Sequence, residues 1–344
     1  PTSAAESEAG SVYAFGAARY AGGAAGEPVT GMARTATGRG YWVAGSRGGV
    51  FSFGDATFHG ALPRSAKRPP VVDMAAAPDG QGYWLAGRDG GVFAFGSATY
   101  AGSLGRIEVN GAIVGIAATP TGKGYWLAAG DGGVFAFGDA TYAGSAAGTR
   151  LNAPIVAMAA TPTGKGYWLL ARDGGVFAFG DARYAGSPAG RRLAEPMVGM
   201  AGTPDGNGYW LVSADGGVFA FGSAPFHGSA GNIATGAPVA AVETTPAGDG
   251  LWLATGGELL GDHDVTCYAL RGTTASGDPV SDEVVAVDPR HIALGTEIFV
   301  SSVGTRRALD TGRAIRGRRL DVWHPSSQWC RDFGERRLGA YLVT

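Results

Sequence analysis

Trp42, Trp84, Trp126, Trp168, Trp210 and Trp252 follow one another at intervals of 42 residues, five times running, without insertion or deletion. Around each tryptophan runs a version of the segment at 154–187, PIVAMAATPTGKGYWLLARDGGVFAFGDARYAGS. A strict period forces equivalent packing on every copy, because each unit must bury its apolar face against the next. Repeats of about 40–45 residues with strand-like content match single blades of a β-propeller.

The local signals agree with that architecture. PIVAMAATP reads as a first strand, and TGKG, PDGQG or PDGNG as a turn. GYWLLA reads as a second strand and VFAFG as a third, with ATYAGS as a short fourth strand on the outside. The RDGG or ADGG between the second and third strands predicts a tight primed hairpin turn. Asp89, Asp131, Asp173 and Asp215 are therefore read as turn residues rather than as metal ligands. The VxxFG strand first occurs at 12–16, before any tryptophan, and last at 218–222, before Trp252. The N-terminal copy is then expected to complete the last blade and close a ring of six. Closure hides the edge strands that a linear array would leave open. GGELLG at 256–261 is a rival third strand, but VYAFGAARYAG matches the repeat over more of its length.

Glycine makes up 61 of the 344 residues, yet 45% of the chain is hydrophobic and 10% aromatic. Such an aromatic load excludes a disordered or collagen-like chain, so the glycines mark turns between buried strands. The formal net charge of −2, with 16% charged residues, gives no footprint for nucleic acid. No apolar run reaches membrane-spanning length. The opening PTSAAESEAG is small and polar, as after removal of a leader, which leads to the expectation of a secreted, cell-wall-associated protein. His59 and His227 replace the alanine of YAG in two non-adjacent repeats, too far apart to suggest a metal site. The segments between repeats share no ligand-like residue, so the partner of the propeller, a protein or a wall polymer, is not legible.

The period ends near 256, with GGELLGDHD as a short joining segment. The expected division is a tail at 1–11, the propeller at 12–257 and a small second domain at 258–344. That domain holds both cysteines, Cys267 and Cys330, which suit one disulfide in an oxidising compartment; two buried free thiols are the alternative. DVTCYAL, EVVAVDP, TEIFVSS, RRALDTG, RRLDVWH and GAYLVT read as strands. SSQWCRDFGERR reads as a helix capped by Ser326 or Ser327.

Six pieces occur there in order: TASG (274–277), VAVDP (285–289), ALGT (293–296), DTGRAIRG (310–317), LDVW (320–323) and FGERR (333–337). On these the second domain resembles the three-aspartate (3D) domain of bacterial wall-lytic enzymes and the C-terminal part of membrane-bound lytic transglycosylase A. The repeats resemble tandem glycine- and aromatic-rich repeats of secreted actinobacterial proteins. The resemblance implies an all-β chain, with a double-psi β-barrel after the six-bladed propeller. It also implies Asp288, Asp310 and Asp321 as the aspartate set, separated by 22 and 11 residues. An aspartic-protease reading of the DTG fails, because that chemistry needs two such motifs.

The implied activity is lytic transglycosylation of peptidoglycan at the MurNAc–GlcNAc β-1,4 bond. Asp321 would be general acid and then base, with no cofactor or metal, and the propeller would be a docking module. Apolar Leu320 and Val322 on either side would raise the Asp321 pKa. Asp310 would orient substrate or tune Asp321, and Asp288 would hold a loop. Thr274 and Ser276 are candidate sugar hydrogen-bonders, and Gly312 and Arg313 lie in the same loop. Arg313 departs from the family, which has a second glycine there; it could clash with a glycan, bind a carboxylate or pair with Asp310. The alternative function is a non-catalytic binder of cell-wall glycan.

Overall fold

The structure, a computed structural model, describes residues 9–63, 68–105, 107, 109–233 and 235–343; residues 1–8 of the expected tail lie outside it. Its contacts divide the chain into two compact units. The first contains residues 10–233 and 239–256, the second residues 235–238 and 257–343.

The first unit is six three-stranded antiparallel sheets. They are β2 (Val29–Arg34), β3 (Tyr41–Gly45) and β4 (Val50–Phe53); β5 (Val71–Ala76), β6 (Gly82–Gly87) and β7 (Val92–Gly96); and β8 (Ile113–Ala118), β9 (Gly124–Ala129) and β10 (Val134–Gly138). Then come β11 (Ile155–Ala160), β12 (Gly166–Ala171) and β13 (Val176–Gly180), followed by β14 (Met197–Gly202), β15 (Gly208–Ser213) and β16 (Val218–Gly222). The sixth sheet joins β17 (Val239–Thr244) and β18 (Gly250–Thr255) to the N-terminal β1 (Val12–Gly16), with Val12 opposite Ala254 and Gly16 opposite Gly250. The first strand of each sheet lies against the first strand of the next, and β17 lies against β2, so the ring closes.

The tryptophan period has a direct physical cause. Each middle strand is wholly buried, and every repeat tryptophan is fully buried within it. The tyrosine preceding it packs on the tryptophan of the sheet before, as in Tyr125 on Trp84 at 5.7 Å and Tyr167 on Trp126 at 5.8 Å. Tyr41 on Trp252, at 5.6 Å, closes the series. The sixth sheet has Leu251 in place of the tyrosine, and there the His227 ring lies tilted beside Trp210 at 6.0 Å.

Two expectations are corrected. ATYAGS does not form a fourth strand. Its backbone groups are taken by side chains instead: the Trp84 indole donates to the Thr99 carbonyl at 2.9 Å, and the Ala101 N–H donates to the Tyr125 hydroxyl at 3.2 Å. With its polar groups satisfied in this way, the segment needs no ladder. The DGG hairpin is also not a primed turn. Asp89 keeps a negative φ and Gly90 takes φ +81°, with Gly90 N–H bonded to Gly87 O and Gly87 N–H to Gly91 O, both at 2.8 Å. A three-residue loop of this kind is a type I turn closed by a left-handed glycine. Asp89 Oδ1 accepts from the Gly91 N–H at 3.0 Å, a turn role rather than a metal-binding one.

The second unit is a closed six-stranded barrel of order β19-β23-β20-β22-β21-β24. Its strands are β19 (Glu258–Tyr268), β20 (Val284–Ala286), β21 (Glu297–Val300), β22 (Gly304–Asp310), β23 (Arg319–Trp323) and β24 (Arg336–Leu342). Residues 258–264, read from sequence as a joining segment, are the first half of β19 and pair with β24. The pairs β19–β23 and β20–β22 are parallel, so the chain crosses the barrel between them. Val265, Val285, Ile298, Ala308, Leu320, Val322 and Ala340 fill the core. Helix α1 (Ser327–Phe333) starts at Ser326, whose Oγ accepts from the Trp329 N–H at 3.2 Å, and ends at Gly334 with φ +64°. The Cys267–Cys330 disulfide ties α1 to β19.

Candidate functional site

Burial alternates along β23: Leu320 and Val322 enter the core, and Asp321 and Trp323 face outward, half-buried. Asp321 lies opposite Thr266 of β19 on one side and Ala286 of β20 on the other. Ala286 in turn lies opposite Asp310 of β22. Laterally paired residues share a face of the sheet. Thr266, Asp321, Ala286 and Asp310 therefore form one row, with only an alanine methyl between the two carboxylates. Their backbones are two strand steps, about 10 Å, apart. A bulge between Val285 and Ala286 sets this register, since Val285 faces Ala308 while Ala286 faces Asp310. Without the skipped residue, Leu309 would hold the place of Asp310.

The two carboxylates are held differently. Asp321 Oδ1 accepts one hydrogen bond, from Thr266 Oγ1 at 2.8 Å. Burial raises its pKa and the charge of Asp310 adds to the rise, while Thr266 and Arg319 oppose it. Leu320 and Val322 point to the opposite side of the strand and do not provide that shelter, contrary to the expectation from their adjacency. Asp310 accepts at Oδ2 from the Tyr268 hydroxyl at 3.0 Å, and at Oδ1 from the Ala275 N–H at 3.0 Å and the Thr311 N–H at 2.9 Å. Burial, followed by the charges of Asp310 and Asp321, pushes the Tyr268 phenol up, so it stays protonated and donates. The two carboxyls of the row thus sit in different settings, one half-buried with a single donor and one held by three donors, and general acid–base chemistry draws on such differences.

Asp288 stands apart from this row. Only 3% exposed, it accepts from Arg290 Nε at 3.0 Å, Arg290 Nη2 at 2.7 Å and the Gly317 N–H at 2.8 Å. Its carbonyl accepts from the His291 and Ile292 N–H groups at 2.8 and 2.9 Å. These bonds, the arginine's first, hold its carboxyl far below the ordinary range. They tie the 288–292 turn to the loop that follows the DTG.

Thr274 and Ser276 share a hydrogen bond at 2.9 Å, and Ser276 Oγ also bonds the Leu309 carbonyl at 2.9 Å and Asp278 Oδ2 at 3.0 Å. Their hydroxyls stiffen the 274–278 turn, whose Ala275 N–H reaches Asp310. A Cβ on Gly312 would lie 2.9 Å from Ile315 Cγ1, so glycine lets the DTG loop close on buried Ile315. Arg313 is exposed and has no hydrogen bond or ion pair with the described residues, so it does not pair with Asp310. Beyond Trp323 a cleft of about 370 Å³ opens between Ala269, Arg271, Gly272, Val280 and Pro325.

Thr266 and Tyr268 were not singled out from sequence. The alternation in VTCYAL places them on one face, opposite Cys267, but their meeting with Asp321 and Asp310 depends on strand order. No cluster of three or more metal-ligating side chains occurs among the described residues, and no described helix is long and apolar enough to cross a membrane.

Residues 283–344 match the 3D domain family, a span that contains all three aspartates. Over 78 residues the chain is 38% identical to the cell wall-binding protein YocH of Bacillus subtilis (strain 168), covering 22% of this chain and 27% of the relative. Over 80 residues it is 33% identical to the putative cell wall shaping protein YabE of the same organism, covering 22% of this chain and 20% of the relative. The chain thus spans about a quarter or less of these relatives' lengths. Among solved structures it is similar to the β-propeller domain of Cps50 (Swd1) from Myceliophteria thermophila. That likeness has a TM-score of 0.43 at 11% identity and covers 66% of this chain and 83% of the other.

Proposed function

We propose that the chain is a wall-acting lytic transglycosylase that cleaves the MurNAc–GlcNAc β-1,4 bond of peptidoglycan, with Asp321 as the acid and then the base. The observation that carries this reading is the row Thr266–Asp321–Ala286–Asp310. One carboxyl has its pKa raised by burial and accepts a single hydrogen bond, and a second is held by three donors two strands away. In the first step Asp321 gives its proton to the leaving GlcNAc O4 as the C1–O4 bond breaks. The Asp321 carboxylate then takes the proton of the MurNAc C6 hydroxyl as O6 bonds to C1. A 1,6-anhydro end forms, no water is consumed and Asp321 regains its proton. One carboxyl thus serves both steps, unlike the paired carboxylates of hydrolases. Asp310 orients Tyr268 and the 274–278 turn, and its charge favours the protonated Asp321. Asp288 is proposed as a positioning residue for the loop after the DTG. The domain boundaries at 12–257 and 258–344, and a secreted location at the wall, complete the proposal.

The test is digestion of purified wall by the chain and by Asp321→Asn, read by mass. The expected result is release of muropeptides lighter by one water at the new end, abolished in the variant. Equal release by both would overturn the assignment. The printed name of the first relative, a cell wall-binding protein, supports a second reading: a non-catalytic wall binder. Retention of the native chain on wall with no soluble product would establish that reading instead.

A further inference from the structure

Tyr20, Phe58, Tyr100, Tyr142, Tyr184 and Phe226 are 57–64% exposed, although large aromatic rings are usually buried. They occupy one equivalent position in each of the six blades, in the segment after the outer strand. None belongs to a core cluster. Packing therefore does not explain them.

Variation between the repeats points the same way. The residue before the ring is Arg, Thr or Pro from blade to blade, and the residue after it is Ala or His. The exposed position itself takes only Tyr or Phe. Copying of the repeat would explain identical residues. It does not explain a position that has been substituted and has stayed aromatic. Since Phe serves at 58 and 226, the shared property is the ring face rather than the hydroxyl.

Five of the six rings sit on a stretch clamped at both ends, and Phe226, whose next blade has Leu251 in place of the tyrosine, keeps the indole bond alone. The carbonyl before Tyr142 accepts from the Trp126 indole of its own blade at 2.9 Å, and the N–H after it donates to the Tyr167 hydroxyl of the next blade at 3.2 Å. The same clamp holds Tyr20, through Trp252 and Tyr41, and Tyr184, through Trp168 and Tyr209. The rings thus stand at the seams between blades, preordered, so a ligand would cost little ordering entropy there.

We propose that the repeat unit is a six-site glycan binder in which each of these rings stacks on the C–H face of one pyranose of a wall polysaccharide. An aromatic face carries partial negative charge and meets the weakly positive C–H edge of an apolar partner. Single rings at separate seams match the size of single sugars. They do not make the contiguous apolar centre of a protein interface. Six weak, equivalent sites on one polymer combine by effective concentration into firm retention. The inference rests on the docking role proposed for this unit and adds its residues and ligand class.

The test uses the full chain carrying Asp321→Asn, so that polymer is not consumed, with purified peptidoglycan sacculi and chitin as probes. Affinity is measured for Tyr100→Ala, for Tyr100→Ala with Tyr142→Ala, and for both with Tyr184→Ala. Each ring removed is expected to weaken retention on sacculi roughly two- to tenfold. The triple Tyr→Phe set should bind like the parent. The triple Tyr→Leu set, which keeps apolar bulk and serves where alanine perturbs folding, should lose binding as the alanine set does. Parent-like affinity of the leucine set, or no retention of the parent on either polymer, overturns the proposal. Release of anhydro ends by the chain with native Asp321 is read separately, so failure of catalysis and failure of the aromatic sites are distinguishable.

Discussion

Asp321 receives one hydrogen bond, and its proton affinity is balanced between groups of opposite effect, so single substitutions should move it in opposite directions. The acid form is the one that starts the proposed reaction, and activity should fall as pH rises through the raised Asp321 pKa. Removing the Asp310 charge in Asp310→Asn takes away a raising influence, so the alkaline limb of the kcat/KM profile should move to lower pH. Removing the Thr266 hydroxyl in Thr266→Val takes away a bond to the ionised form, so the limb should move to higher pH. Shifts of the same sign in both variants would contradict Asp321 as the titrating acid. The three aspartates were readable as a set from LDVW, DTG and VDP. Their different settings were not, because Tyr268, Thr266 and the Ala275 N–H come from other elements. Asp288 illustrates this: its VDP context suggested a turn, but the link to Gly317 joins backbone 29 residues away.

Strand β19 carries much of the second unit. It pairs with β23 and β24, contributes Thr266 and Tyr268 to the site, and holds α1 through Cys267. The Cys267–Cys330 bridge closes a 63-residue loop that contains most of the site. In the chain-entropy account such a closure contributes about 4 kcal/mol. Reduction, or paired Cys→Ser substitution, should lower the unfolding free energy of the barrel by that order, bring its denaturant midpoint down in proportion and leave the propeller transition in place. An unchanged barrel midpoint would contradict the account. The strands themselves were legible, since DVTCYAL, EVVAVDP, TEIFVSS, RRALDTG and RRLDVWH each fall on one. The first half of β19 was not, because ELLGDHD has neither clean alternation nor β-branched residues. Its strand state comes from pairing with β24. The ATYAGS segment errs the other way: its composition suits a strand, yet indole and phenol groups take its hydrogen bonds.

At the scale of the whole chain, the ring depends on one N-terminal strand. β1 covers β18, and the Arg19 carbonyl accepts from the Trp252 indole at 2.9 Å. Deleting residues 1–22 should expose that edge and lower the melting temperature of the propeller by about 10 °C or more, with aggregation. Melting like that of the intact chain would contradict closure by β1. The sequence by itself determined the period, the blade core and the closure, because 42-residue spacing obliges every tryptophan to meet an equivalent tyrosine, leucine or carbonyl. The order of its motifs also carried the family resemblance that implied the three aspartates, while the state of the two cysteines stayed open until the structure joined them. Only the tertiary structure decided which carboxylate is sheltered, because that follows from strand order and from the bulge at Val285–Ala286. It alone showed that the six repeat aromatics face water, because exposure depends on what the neighbouring blade leaves uncovered.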